Sequence, residues 1–132
     1  MGRREAREKL FGLIFEMSFK DQNELDGVIV REEEEETLDG YIKESLVGIY
    51  ERVGEIDSRI SETSKEWKVE RISRVSVSAM RIAVYEMLFA SLPYQVAINE
   101  AVILVKKYDD DNAHVFVNGV LNKIAETAGL KG

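Results

Sequence analysis

The sequence has no cysteine, and only one proline, one histidine and one tryptophan in 132 residues. The missing cysteine excludes a disulfide framework, thiolate zinc sites and cysteine nucleophiles, and it fits a reducing compartment. A single proline and few turn clusters argue against an all-β fold. No apolar run approaches the roughly 18 residues that would span a membrane. Met1-Gly2-Arg3-Arg4-Glu5 is not followed by the apolar core of a signal peptide. The expectation is a cytoplasmic protein with no membrane contact. What is present is ordinary: 45% hydrophobic and 33% charged residues, which argues against disorder. The length fits one domain over 1–132, able to bury about two thirds of its unfolded surface.

The net charge of −7 is unevenly placed. Residues 1–20 carry five basic and three acidic groups, whereas residues 21–66 carry five basic and fifteen acidic ones. Residues 67–108 return to six basic against three acidic. Screening confines each local field to about 8–10 Å, so a clustered basic end can bind a nucleic acid on an acidic chain.

The apolar spacing is helical throughout. Leu10, Leu13, Ile14 and Met17, with Ala6 a turn earlier, predict an amphipathic helix over about 3–20. A weaker segment follows and ends in Glu32 to Glu36, five like charges that read as a solvated helix end or a mobile loop. Thr37 is placed to cap the next helix, with Leu38, Ile42, Leu46, Ile49 and Val53 as its stripe and Gly54 as its break. Ile56 and Ile60 mark a shorter helix ending near Trp67. Val75, Ala79, Ile82, Ala83 and Met87 mark a strongly apolar one reaching about Ala90. Pro93 opens the next, lined by Ile98, Ala101, Val102 and Val105. The Asp109-Asp110-Asp111-Asn112 cluster introduces the last, lined by Val117, Val120, Leu121, Ile124 and Ala128. The fold expected is all-α, a compact bundle of about seven helices, with the acidic stretch setting a three-helix N-terminal half apart from the rest.

Signals for catalysis are poor. The aspartates at 109–111 could hold a metal with His114, but no cysteine or second histidine joins them, and helix capping explains them as well. As a calcium loop the run lacks the central glycine, and Val120 stands where a chelating side chain is needed. Glu100 reads as first-turn stabilisation rather than a general acid. Gly119 falls mid-helix, where glycine costs about 1 kcal/mol relative to alanine, and so predicts a close helix–helix contact. No metal or cofactor is expected.

The first helix says more. Arg3, Arg4 and Arg7 crowd an N-terminal end, where a cation is unfavourable by roughly 0.3–1 kcal/mol. Arginine suits phosphate bidentately and stacks on bases. Phe15 lies downstream, offset from the Leu10/Ile14/Met17 stripe. This is either a single-stranded RNA surface or a solvated basic end with a half-buried ring.

From residue 67 onward the chain resembles the NusB family of bacterial transcription antitermination factors. The matching blocks are WKVERI at 67–72, MRIAVYE at 80–86, PYQVAINEAVILV at 93–105 and FVNGVLNK at 116–123. Ala6-Arg7-Glu8 and the two arginines before it resemble the family's arginine-rich first helix. An FVNGVL-type ending also occurs in an RNA-binding domain fused to ribosomal RNA cytosine methyltransferases, but this chain has no room for the methyltransferase part.

The resemblance implies two packed helical subdomains without enzymatic activity. It implies binding of single-stranded boxA RNA together with NusE, a small-subunit ribosomal protein, and indirect assembly with RNA polymerase and other Nus factors in ribosomal RNA transcription. A helical protein–protein adaptor without RNA binding is the alternative. A free homodimer is left open. The RNA-binding positions implied are Arg3, Arg4, Arg7, Phe15, Arg81, Tyr108, Asn112 and Phe116. Glu5 stands where some relatives are basic, and Asn112 where many are acidic. Arg81 is either an RNA contact or a structural ion-pair partner, and Tyr108 and Phe116 either stack on bases or pack in the core. With about three phosphate contacts the salt slope would be roughly −2.

Overall fold

The computed structural model describes residues 1–65 and 69–131. Among these there are seven α-helices and no strand: α1 Arg3–Met17, α2 Leu25–Glu34, α3 Gly40–Glu51, α4 Val53–Ser64, α5 Arg74–Phe89, α6 Tyr94–Tyr108 and α7 Ala113–Thr127. The all-α expectation and the helix number hold. Most boundaries shift by a few residues: α1 stops at Met17 rather than residue 20, and the α3–α4 break falls at Arg52, leaving Gly54 inside α4. The expected helix end near Trp67 and the first two residues of the WKVERI block lie outside the described residues.

The stripes read from spacing supply most of the buried faces, with Leu38, Val53, Val75, Val102 and Ala128 only half-buried. Leu10, Ile14, Ile42, Leu46, Ile49, Ile56, Ile60, Leu121 and Ile124 are all fully enclosed. The first three helices form one group and α4–α7 the other. α5 contacts α1 and α3 on one side and α4, α6 and α7 on the other, so it is the wall the two groups share. Its composition follows: eleven of its sixteen residues are buried, as required of a helix covered nearly all round.

Local signals were redistributed. Asp39, not Thr37, caps α3, accepting from the Ile42 amide at 2.8 Å. Thr37 instead donates to the Glu32 carboxylate at 2.7 Å. The glutamate run is neither a loop nor wholly solvated: α2 continues through Glu34, and Glu32 is buried among Lys9, Arg31 and Thr37. Burial pushes the Glu32 carboxyl up, but hydrogen bonds from Lys9, Thr37 and Arg31 outweigh it and hold the group below its ordinary value. Gly119 makes no close contact; a Cβ there would meet nothing within 4 Å. The close approach is at Gly48, where a Cβ would stand 2.5 Å from the Tyr85 hydroxyl.

Candidate RNA-binding face

The tip of α1 has no side-chain cap, and its arginines reach partners on other helices. Arg3 lies over the Tyr41 ring, 4.0 Å from guanidinium carbon to centroid. Arg4 reaches Glu100 of α6 with Nε at 3.1 Å and Nη2 at 2.7 Å. Its side chain stays 68% exposed, and among the described residues its Nη1 donates to nothing. Arg7 differs. Its side chain is 7% exposed and sits between two carboxylates: Nε and Nη2 donate to Glu86 at 2.8 and 3.0 Å, and Nη1 donates to Glu100 at 3.1 Å. Burial works against the Arg7 charge, and the Glu86 hydrogen bonds overcome it. Hydrogen bonds from Arg4 likewise hold the Glu100 carboxyl low in spite of burial. Glu100 therefore lies beyond the first turn of α6 and anchors α1, which corrects the first-turn reading.

Beyond the arginines the aromatic side chains form a row. Tyr108, at the end of α6, stacks on Phe11 of α1 with centroids 5.4 Å apart and 17° between planes. Phe11 follows on to Phe15 at 6.4 Å and 26°, and Phe15 meets Phe19 edge-on at 5.1 Å and 76°. Phe11 is buried, Phe15 half-buried, and Tyr108 and Phe19 exposed. Glu8 fixes the Tyr108 end: its carboxylate accepts from Lys107 at 2.7 Å and from the Tyr108 hydroxyl. Those two hydrogen bonds hold the Glu8 carboxyl below its ordinary value.

The other implied positions fall in separate places. Asn112 precedes α7 without a side-chain cap bond, and Phe116 is half-buried beside Arg71, Ser73, Asp109 and Asp110. Against the expectation from sequence, the aspartate run does not cap α7 through its side chains. Asp109 turns back to the start of α5 and accepts from Ser76 at 2.7 Å and from the Ser73 hydroxyl. Arg81 makes a fork-to-fork pair with Asp57 of α4 at 2.9 and 2.8 Å and is 12% exposed, the geometry of an ion-pair partner. His114 is half-buried, and among the described residues no group of three or more histidines and carboxylates converges as a metal site.

Of the phenylalanines at 11, 15 and 19, sequence reasoning singled out Phe15 alone, and it passed over Arg74 and Lys107. The signal was available: 11, 15 and 19 follow one another at the spacing of a helical ridge.

Residues 4–126 match the NusB family. A transcription antitermination protein NusB of Clostridium acetobutylicum is 37% identical over 136 residues, covering 99% of this chain and 100% of the relative. Among solved structures, T. maritima NusB superposes with a TM-score of 0.80 at 34% identity, covering 96% of this chain and 92% of that one. The antitermination factors NusB and NusE in complex with double-stranded RNA include a chain that superposes at 0.76, with 29% identity and coverage of 95% and 96%. Matched in sequence and in fold over nearly its whole length, the chain belongs to the NusB family.

Proposed function

We propose that the chain is a transcription antitermination factor: one RNA-binding domain over residues 1–132 that takes single-stranded boxA-type RNA together with NusE. In this reading the pair joins other Nus factors on RNA polymerase in the cytoplasm and supports ribosomal RNA transcription by binding, without chemistry of its own. Family membership supports it, as does a solved relative assembled with NusE and RNA, there double-stranded.

The observation that carries the reading is the aromatic row beginning at Tyr108, laid beside a tip where Arg3 and Arg4 remain open to solvent. An unpaired strand offers bases to stack, each worth about 1–3 kcal/mol on an aromatic ring. Phe15 and Tyr108 supply those faces, and Phe116 with Asn112 supplies a further edge at the start of α7. Arg3 and Arg4 take phosphates. Arg7 and Arg81, enclosed with their carboxylates, position α1 and α5 rather than touch the strand. The arm then contributes two phosphate contacts, a salt slope of about −1.4.

The test is anisotropy of labelled boxA RNA titrated with the protein, with and without NusE. Salt-dependent binding that NusE strengthens is the result expected. A protein that captures NusE and leaves the RNA untouched is an adaptor, and the RNA reading falls.

A further inference from the structure

The three arginines at the tip of α1 are held in two different ways. Arg4 and Arg7 are held by their edges. Nε and Nη2 of Arg4 donate to Glu100, and Arg7 gives Nε and Nη2 to Glu86 and Nη1 to Glu100. Those bonds occupy donors and set a negative charge against each cation. Arg3 is held by its face. Its guanidinium carbon stands 4.0 Å from the centroid of the Tyr41 ring, and among the described residues no carboxylate or hydrogen-bond acceptor reaches it. A guanidinium stacked on a ring keeps its five N–H donors and its full charge, because the attraction comes from the ring quadrupole and not from a carboxylate. Glu5 leaves this unchanged: two positions on, it lies on another face of α1.

The Tyr41 ring is itself fixed. It comes from the first turn of α3, packs half-buried against the core, and donates its hydroxyl to Glu86 at 3.2 Å, the carboxylate that also receives Arg7. The Arg7 guanidinium carbon stands 5.8 Å from the same centroid. The seat of Arg3 is therefore built on the enclosed Arg7–Glu86 pair, while Arg3 itself stays open to solvent. An unseated arginine on the first residue of a helix samples many rotamers, and ordering it on binding costs entropy; a seat built beforehand lowers that cost. The helix dipole at this end attracts anions as well, so charge and dipole act together.

We propose that Tyr41 is a positioning residue for RNA: its ring seats Arg3 by the face, and the free edge of the guanidinium takes a backbone phosphate of the strand. This role rests on the RNA-binding reading, and it falls to a helix that carries none of the four blocks matching the family.

The test is a mutant cycle read by anisotropy of labelled boxA RNA on the full chain with NusE present, with urea denaturation of each variant beside it. Arg3→Lys keeps the charge and loses the flat stack and the fork; Tyr41→Leu keeps an apolar side chain and loses the ring face. Each should weaken RNA about threefold. In an Arg3→Ala background Tyr41→Leu should cost less than about 1.5-fold, since nothing is left to seat. Tyr41→Phe loses the Glu86 hydrogen bond and should lower the urea midpoint, yet it keeps the face and should bind RNA within about 1.5-fold of wild type. If Arg3→Lys, a surface change that leaves the fold alone, binds as wild type, the stack carries nothing and Tyr41 has no part in binding. If Tyr41→Leu weakens RNA equally with and without Arg3, the ring acts on the strand or on the fold and not through Arg3. If it releases NusE in the absence of RNA, the ring belongs to the protein partner. If wild type binds no RNA, the reading itself fails; if it binds and the cycle shows no coupling, only the seat does.

Discussion

Arg7 of α1 and Glu86 of α5 meet fork to fork, Nε to Oε1 at 2.8 Å and Nη2 to Oε2 at 3.0 Å, in a place almost closed to water. The pair is completed by Glu100 from α6 and by the Tyr41 hydroxyl from α3, which donates to Glu86 at 3.2 Å. Four helices are thus tied at one guanidinium. Replacing it with a methyl leaves the enclosed Glu86 carboxylate without its cation and Glu100 with Arg4 alone.

Arg7→Ala is therefore expected to destabilise the fold by about 3–5 kcal/mol, the cost of stranding buried charge. Arg7→Lys should recover only part, because an ammonium cannot serve both carboxylates in the same plane. Urea denaturation followed by circular dichroism measures this. A loss below about 1 kcal/mol would show that the pair is solvated in practice.

The two outer arginines should behave in the opposite way. Arg3→Ala with Arg4→Ala is expected to lower the urea midpoint much less than Arg7→Ala does, through the lost Arg4–Glu100 pair, while weakening boxA RNA and flattening the salt dependence by about 1.4. Titrations at several salt concentrations give the slope directly, and an unchanged slope removes the arm from the RNA face.

Two glycines make a paired prediction. Gly48→Ala drives a methyl to 2.5 Å from the Tyr85 hydroxyl and 2.6 Å from its ring, and should cost about 1–3 kcal/mol. Gly119→Ala adds a methyl to an open helix surface and should stabilise by about 0.5–1 kcal/mol. Thermal melts of the two variants should move in opposite directions.

Acid should unfold the protein through its paired carboxylates. Hydrogen bonds from Arg31, and then from Lys20, hold Glu16 at about 2, against an ordinary value of 4.5. The folded chain binds that proton more weakly than the unfolded chain, so the stabilisation is complete above about 4.5 and is lost as pH falls toward about 2. Glu32 and Glu100 act in the same direction. Urea midpoints measured from pH 7 down to 2.5 should decline across this window, and Glu16→Gln should flatten part of the decline. A decline no smaller in that variant would place the titration elsewhere.

Much of this architecture could be read in the sequence, because apolar spacing reports which face of a helix is covered. The Leu10/Ile14/Met17 and Val117/Leu121/Ile124 stripes are buried as read. Arg7 belongs with the first stripe: it stands three residues before Leu10 and seven before Ile14, on the covered face, whereas Arg3 and Arg4 lie beyond it. Spacing alone does not separate the three, since Arg3 stands seven residues before Leu10 on the same face; Arg3 and Arg4 differ in lying at the exposed end of α1. What stayed hidden depends on distant partners. Nothing local distinguishes Glu32 from the four glutamates after it; Lys9 and Arg31 do, and Lys9 arrives from another helix. Asp109 is the same case, since the serines it serves are more than thirty residues away. Gly48 and Gly119 are both mid-helix, and only tertiary packing tells which one is crowded.

Because α5 is a party wall, neither group of helices has an inner surface of its own to retreat to. Loosening one side bares the other, so amide protons deep in α1 and α7 should exchange with solvent only when the entire chain opens. The arginine tip and the ring at Tyr108 would then meet an incoming strand already set at their working distance, with no closing motion to be made first.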